Sequence, residues 1–328
     1  MKQNVNIEKF KNKVIKQDVI DYLESLPDRS IDSIITDPPY YRVVADKWDN
    51  QWLTIDDYLE WCEKWIEICS RKVKRSGTFM VFGFSYQLAR LLPIFEKYNF
   101  KFRQQVVIDK GLKSVAGRTS NKLKQFPTAT EHMYYFYYDC SLEIAEMMEE
   151  KRKEKNLKPY EINGMLGKAT TGGGFWVSCF SLNKAKVSGI TYPTKEDWIK
   201  LQEIFEDIPE YDDIVYSFNI IKGLTDVWSD IDFYEVKKKD KFHPTQKPLN
   251  LMDRVVQSIT KENAIVLDPF MGSGSTAISC ITNNRNFVGC EKDDYYFEKL
   301  NERIKQHYNV LKENKLKIEP ETLVTFND

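Results

Sequence analysis

Two short loops far apart in the chain each follow a β-branched run, and together they restrict the fold more than anything else in the sequence. The first is Asp37-Pro38-Pro39-Tyr40, after Ile31-Asp32-Ser33-Ile34-Ile35-Thr36. The second is Asp268-Pro269-Phe270-Met271-Gly272-Ser273-Gly274-Ser275-Thr276, after Ala264-Ile265-Val266-Leu267. Apolar runs of this length, bounded by Pro and Gly, read as buried parallel strands. An open α/β sheet binds ligands in the crevice beyond the carboxyl ends of its strands, where the strand order reverses. Two chemically loaded loops at two such ends can therefore face one crevice. One suits a cofactor and the other a planar amine.

The 328 residues can hold one large α/β domain with an insertion, and 42% apolar residues support a substantial core. The formal net charge of −1 means that a polyanionic partner must be met by local basic patches. The start, Met1-Lys2-Gln3-Asn4-Val5-Asn6, has no apolar leader pattern, and no window approaches a membrane span. The six cysteines (62, 69, 140, 179, 280 and 290) form no Cys-x-x-Cys pair, and the three histidines are scattered. No metal site is expected, and the reducing cytoplasm is the expected location.

Strands are expected at Lys13–Gln17, Ile31–Thr36, Thr78–Phe84, Phe102–Ile108 and His132–Tyr138, with helices near 18–26, 55–74 and 86–98. The 55–74 helix carries Tyr58, Leu59, Trp61, Cys62, Trp65, Ile66 and Cys69 as an apolar stripe. A charged helix covers Glu143–Lys158, and 161–236 has no clear βα alternation. Alternation resumes with a helix at 248–260, a strand at 264–267, a helix at 275–284, a strand at 286–290 and a helix at 293–313. The pattern predicts a seven-stranded, doubly wound, mostly parallel sheet of the Rossmann-like type. Its expected parts are 1–138, an insertion at 139–236, and 237–328 with a tail.

The Asp-Pro-Pro-Tyr loop suits an exocyclic amine, whose lone pair is conjugated into its ring. The Asp37 carboxylate and the Pro38 carbonyl can accept its two hydrogens, drawing the nitrogen towards sp³. Pro38 and Pro39 fix φ and so hold the acceptors in place beforehand, and Tyr40 offers a face for stacking. A Pro-rich turn with an N-cap Asp is the plainer alternative at this loop. Gly272-x-Gly274-x-x-Ala277, opening a helix after a strand, is a nucleoside-loop pattern, with Glu291 ending the next strand where an acid commonly binds ribose. That also fits a dinucleotide site, but one further strand is too little for a second mononucleotide half. His243-Pro244-Thr245-Gln246-Lys247-Pro248 reads, by physics alone, as a helix-entry turn. Residues 101–130 hold seven basic side chains, among them Lys110, Lys113, Arg118, Lys122 and Lys124, against the single acid Asp109. A basic loop of this kind suits a phosphate backbone. Tyr134-Tyr135-Phe136-Tyr137-Tyr138 reads as a core strand rather than a stacking platform.

Taken in order, these motifs resemble the β-class DNA amino-methyltransferases. Further matches are Trp48-Asp49 followed by Tyr58, Phe126-Pro127 leading to Glu131-His132, and Asp226-Val227-Trp228. The resemblance covers roughly 13–138 and 225–305. It implies a methyltransferase sheet in circularly permuted motif order, with a target-recognition insertion. The cofactor it implies is S-adenosylmethionine, and the substrate is the N6 amine of adenine in double-stranded DNA, flipped out of the stack. Catalysis would fall to Asp37, Pro38, Pro39 and Tyr40. The cofactor would lie against Asp268, Phe270, Gly272, Gly274, Ser275 and Thr276, with Glu291 on its ribose and Asp18 at its adenine. His243, Thr245 and Lys247 would close the pocket, and Asp37 borders both sites. Lys110, Lys113, Arg118, Lys122 and Lys124 would hold DNA. N4-cytosine methylation is the alternative, although Asp rather than Ser at position 37 favours adenine. RNA or protein-amide methylation is more distant, since those enzymes usually place the cofactor loop first. A restriction–modification or orphan modification system, with a partner restriction endonuclease in the former, a homodimer, and a cytoplasmic, nucleoid-associated protein of bacterial or phage origin are further expectations. Two positions depart from the family pattern: Gln17 where Gly is frequent, and Ile108 where Trp is frequent.

Overall fold

A computed structural model describes residues 6–42, 49–115, 124, 126–171, 174–187, 189–233 and 241–313. Arg118, Lys122, Trp48, Gly172, Gly173 and the tail fall outside the described residues. Two compact units are present, 1–137 with 217–328, and 138–216.

The larger unit is built on an eight-stranded sheet. Its strands are β1 (Lys13–Lys16), β2 (Ile31–Thr36), β3 (Val73–Gly83), β4 (Phe100–Asp109), β5 (Thr130–Tyr138), β6 (Val227–Trp228), β7 (Ile265–Asp268) and β8 (Asn286–Glu291). Their spatial order is β1-β8-β7-β2-β3-β5-β4-β6. β1, β8, β7, β2 and β3 run parallel in succession, β5 is antiparallel to β3, and β6 is parallel to β4. The seven expected strands are all present. The eighth, β6, is two residues long and too short to leave a periodic signature. β6 pairs with β4, Trp228 is buried in the main core, and the described residues 217–233 group with the sheet, so the second compact unit, 138–216, spans only part of the expected 139–236.

Helices α1 (Val19–Ser25), α2 (Ile55–Lys72) and α3 (Ser85–Lys97) lie among the first strands. Thr54 and Asp57 close a capping box that fixes the start of α2, and Tyr58, Cys62, Trp65, Ile66 and Cys69 form its buried stripe. On β3, alternation separates two cores. Phe79 packs with Trp65, Phe95 and Phe100. Met80 and Phe82 join the cluster that also holds Val255, Ile278 and Ile304, from α9 (Leu249–Ile259), α10 (Ser275–Thr282) and α11 (Asp294–Glu313). β2 and β7 are buried along almost their whole length, as strands covered on both faces must be. In β5, Met133, Tyr135, Phe136 and Tyr138 are core residues, as the reading of that aromatic run expects.

The smaller unit contains α4 (Ser141–Glu154), α5 (Pro159–Met165), α6 (Gly174–Phe180), α7 (Leu182–Val187) and α8 (Lys195–Ile204). Where the sequence shows only irregular order, the described residues form four short helices. Their core is Trp176, Phe180, Trp198, Leu201 and Phe205, and the Trp176 indole donates to Glu149 at 2.7 Å. No helix among the described residues is long and apolar enough to cross a membrane.

Candidate active site

The chain leaves β2 towards β3 on one side and leaves β7 towards β8 on the other, so the strand order reverses between β2 and β7. The loops after these two strands part there, opening a cavity of about 640 Å³. Asp18, Asp37, Pro38, Pro39, Tyr40, His243, Thr245, Lys247, Asp268, Phe270, Gly272, Ser275, Thr276 and Glu291 all line it. Two motifs more than two hundred residues apart are thus walls of one chamber. Gly274 is the one expected cofactor residue outside the lining. It sits at φ +75° as the N-cap of α10, a left-handed conformation that costs glycine nothing.

The glycine loop is held from every side. Gly272 has φ +51°, and a Cβ there would come 3.3 Å from His243 Nε2. Its N–H donates to Glu291 Oε2 at 2.9 Å, and Glu291 Oε1 accepts from the Lys292 and Asp293 amides, each at 2.9 Å. Glu291 therefore latches the loop after β7 to the loop after β8, with about one of its four lone-pair sites left for a ligand. Burial raises its carboxyl above the usual range.

Asp268 is spent in a similar way. Oδ1 accepts from the Thr36 hydroxyl at 2.8 Å and the Phe270 amide at 3.1 Å, and Oδ2 accepts from Thr276 at 2.6 Å. Burial pushes this carboxyl up to about 6 against the pull of those donors. Asp18 caps α1 through the Ile20 amide and pairs with Lys292 Nζ at 2.9 Å. Ser275 Oγ donates to the Lys247 carbonyl at 3.0 Å and receives Arg303 at 3.1 Å, joining the glycine loop to the His-Pro-Thr-Gln-Lys-Pro segment. That segment is more than a helix-entry turn. Pro248 does cap α9, but His243, Thr245 and Lys247 form cavity wall.

Tyr40 is buried, edge-on to Phe84, and donates its hydroxyl to Asp37 Oδ1. Its backbone N–H donates to Asp49 at 2.6 Å, and the Tyr58 hydroxyl donates to the Pro39 carbonyl at 3.1 Å. On its other side, Asp37 Oδ2 accepts from Lys247 Nζ at 2.6 Å. Lys247 also pairs with Glu131 at 2.7 Å. Glu131 enters the sequence reading only as a family match without a role, and residue types at such separations carry no local signal. Trp61, Phe82 and Tyr296 also line the cavity without having been singled out for it. Of the expected DNA-binding lysines, Lys113 and Lys124 are exposed. Lys110 is partly buried, 3.7 Å from Glu131 and over the Phe233 ring.

His243 is neutral under ordinary conditions. Burial, reinforced by the Lys247 and Lys241 charges, lowers its imidazole from 6.5 to about 4. Nδ1 accepts from the Thr245 amide at 3.3 Å, and the ring meets Tyr296 edge-on at 4.3 Å. A folded-state value below the unfolded one means that His243 stabilises the fold above about 6.5, a contribution lost as pH falls through about 4. A proton–nitrogen NMR titration should therefore find its midpoint near 4. A midpoint near 6.5 would contradict the packing described.

The cavity fits a nucleoside-bearing cofactor. It has the size of a small-molecule site, an apolar wall from Phe270, Pro269 and Met271, and polar groups from Asp18 and Glu291. Its glycine loop cannot take a side chain at Gly272 without crowding His243.

Residues 31–303 match the N6/N4 DNA methylase family, a span that includes both loops and the insertion. The chain is 25% identical over 320 residues to the type II methyltransferase M.HinfI of Haemophilus influenzae, covering 93% of this chain and 71% of that one. It is 27% identical over 302 residues to the type II methyltransferase M.BglII of Bacillus subtilis, covering 88% and 67%. The crystal structure of an M1.HpyAVI–SAM complex matches with a TM-score of 0.51 at 20% identity, covering 89% of this chain and 98% of that one. PvuII DNA methyltransferase, described as cytosine-N4-specific, matches with a TM-score of 0.52 at 15% identity, covering 90% and 91%. These two likenesses establish the fold. With the family match running through nearly the whole cavity, the chain belongs to the N6/N4 DNA methylases.

Proposed function

We propose that this chain transfers the methyl group of S-adenosylmethionine to the N6 amine of adenine at a specific site in double-stranded DNA, as the modification enzyme of a restriction–modification system. The observation that carries the reading is the Asp37 carboxylate, with the Pro38 carbonyl beside it in sequence, in the same cavity as the glycine loop. Bound S-adenosylmethionine supplies an electrophilic methyl group on a sulfonium. The glycine loop, Glu291, Asp18 and Phe270 hold and orient it. Asp37 and Pro38 accept hydrogen bonds from the two amine hydrogens and localise the lone pair on nitrogen, so that the N–C bond forms as the C–S bond breaks, S-adenosylhomocysteine leaves and the surplus amine proton is lost to water. Their positions are set in advance by the prolines, by Tyr58 on the Pro39 carbonyl and by Lys247 on Asp37. Aspartate in place of serine at position 37 favours adenine over cytosine. Stacked adenine presents N6 in the groove and not to this buried chamber, which supports extrusion of the base.

Sequence choice is assigned to residues 138–216. The basic stretch at 101–130 suits phosphates, which carry no sequence information. Exchanging 138–216 for the equivalent region of a relative should change the site methylated and leave the methylated atom unchanged. Methylation by the chimera at the parental site would refute this division. The base itself is tested by incubating the protein with methyl-labelled cofactor and duplex DNA, then separating the nucleosides. Label in N6-methyl-2′-deoxyadenosine is expected, and label in N4-methyl-2′-deoxycytidine would overturn the adenine assignment.

A further inference from the structure

We infer that Lys247 and Glu131 are positioning residues for the methyl transfer: Lys247 orients the Asp37 carboxylate towards the target amine, and Glu131 holds Lys247 in place. The inference rests on Asp37 being the acceptor of that amine. It also reassigns Lys247, which the motif order places among the groups closing the cofactor pocket.

The geometry leaves Lys247 little capacity for the cofactor. Its ammonium lies 2.6 Å from Asp37 Oδ2 and 2.7 Å from Glu131 Oε1, and sits 5.0 Å from the centre of the Phe82 ring. An ammonium has three donors, and here two are taken by carboxylates and the third faces an aromatic wall. All three charged side chains are largely buried, at 9% exposure for Lys247, 16% for Asp37 and 15% for Glu131. Charges removed from water persist only when paired, so this cation holds two acids within one small volume. With Tyr40 donating to Oδ1 and Lys247 to Oδ2, the Asp37 carboxylate is clamped at both oxygens. Each oxygen keeps a lone pair for a substrate hydrogen. Glu131 is in turn held by Lys110 at 3.7 Å, the first lysine after β4.

The charges around Asp37 come from several elements. Lys247 precedes α9, Glu131 and the more distant Lys110 lie on and across from β5, Tyr40 and Asp49 belong to the loop after β2, Tyr58 to α2, Asp268 to β7, and Lys241 precedes the His243 segment. Burial raises the Asp37 carboxyl, Lys247 lowers it, and Glu131 raises it again. Removing the cation and removing the second acid should therefore move Asp37 in opposite directions. A merely structural role for either residue would not produce that signature.

The test follows the Asp37 carboxyl by difference infrared titration of the free protein, its band assigned by loss in Asp37→Asn. Lys247→Gln should move the titration to higher pH, and Glu131→Gln should move it to lower pH. Both should lower kcat at least ~10-fold while calorimetry finds S-adenosylhomocysteine affinity within about twofold of the parent, which also shows that the variants are folded. If Lys247→Gln does not fold, Lys247→Arg keeps the cation and should leave the titration at the parental pH while Glu131→Gln still lowers it. An Asp37 titration untouched by Glu131→Gln and by the Lys247 charge change overturns the inference. So does a Lys247→Gln protein whose only defect is weak cofactor binding. A parent protein that methylates no DNA would refute the proposed activity, while the infrared titration would still decide the network.

Discussion

Asp37→Ala is expected to cut methyl transfer to DNA by at least ~10²-fold, the scale of losing one preorganised electrostatic group, while leaving the cofactor bound. Activity within about tenfold of the parent would remove Asp37 from the chemistry. The variant should fold, because Lys247 keeps its second counterion at 2.7 Å and no cation is stranded. The cofactor loop should also survive. Its ties run through Glu291, Asp268, Ser275 and Arg303, none of which uses Asp37 as a hydrogen-bond partner. The loss should fall on kcat, since the carboxylate acts on the amine as the nitrogen changes geometry.

Glu291→Ala should give the opposite pattern, a failure of cofactor binding before any failure of chemistry. The side chain accepts three backbone N–H groups, from Gly272, Lys292 and Asp293. Its removal frees the glycine loop as well as taking away a ribose acceptor. Charge-assisted bonds of this kind contribute about 1.5–3 kcal/mol each, so affinity for S-adenosylmethionine should fall roughly ten- to a hundredfold or more. Calorimetry on the free protein measures it directly. Unchanged affinity would mean that the loop after β7 does not cradle the cofactor. Glu291→Gln separates the two contributions. Its carbonyl can still receive Gly272, but its amide cannot accept the Lys292 and Asp293 hydrogens, so an intermediate loss is expected.

Most of the chamber could be read from the sequence because its chemistry is contiguous. Asp37 to Tyr40 and Asp268 to Thr276 are each one strand end and one turn, and buried parallel strands announce themselves by β-branched runs such as Ile31 to Thr36. The charge set around Asp37 was not legible. Lys247 and Asp37 stand 210 residues apart, and only folding brings Glu131, on β5, to their side. A lone acid within an aromatic strand was the one available signal. Lys110, which belongs to the basic stretch 101–130 that suits a phosphate backbone, also lies beside Glu131, a neighbour that the sequence does not show. The outer end of the sheet was missed for a different reason. β6 is two residues long, and its membership shows only in its pairing with β4 and in the burial of Trp228. The helices of the smaller unit, six to ten residues long after α4, are shorter than the window in which a helical period can be recognised.

Sequencing of modified bases in DNA from cells expressing the parent or Asp37→Asn tests most directly whether this chamber brings a DNA amine to a sulfonium methyl. The expected result is N6-methyladenine throughout one short sequence motif with the parent and none with Asp37→Asn. N4-methylcytosine in the parental motif, or adenine methylation persisting in the Asp37→Asn cells, would contradict it.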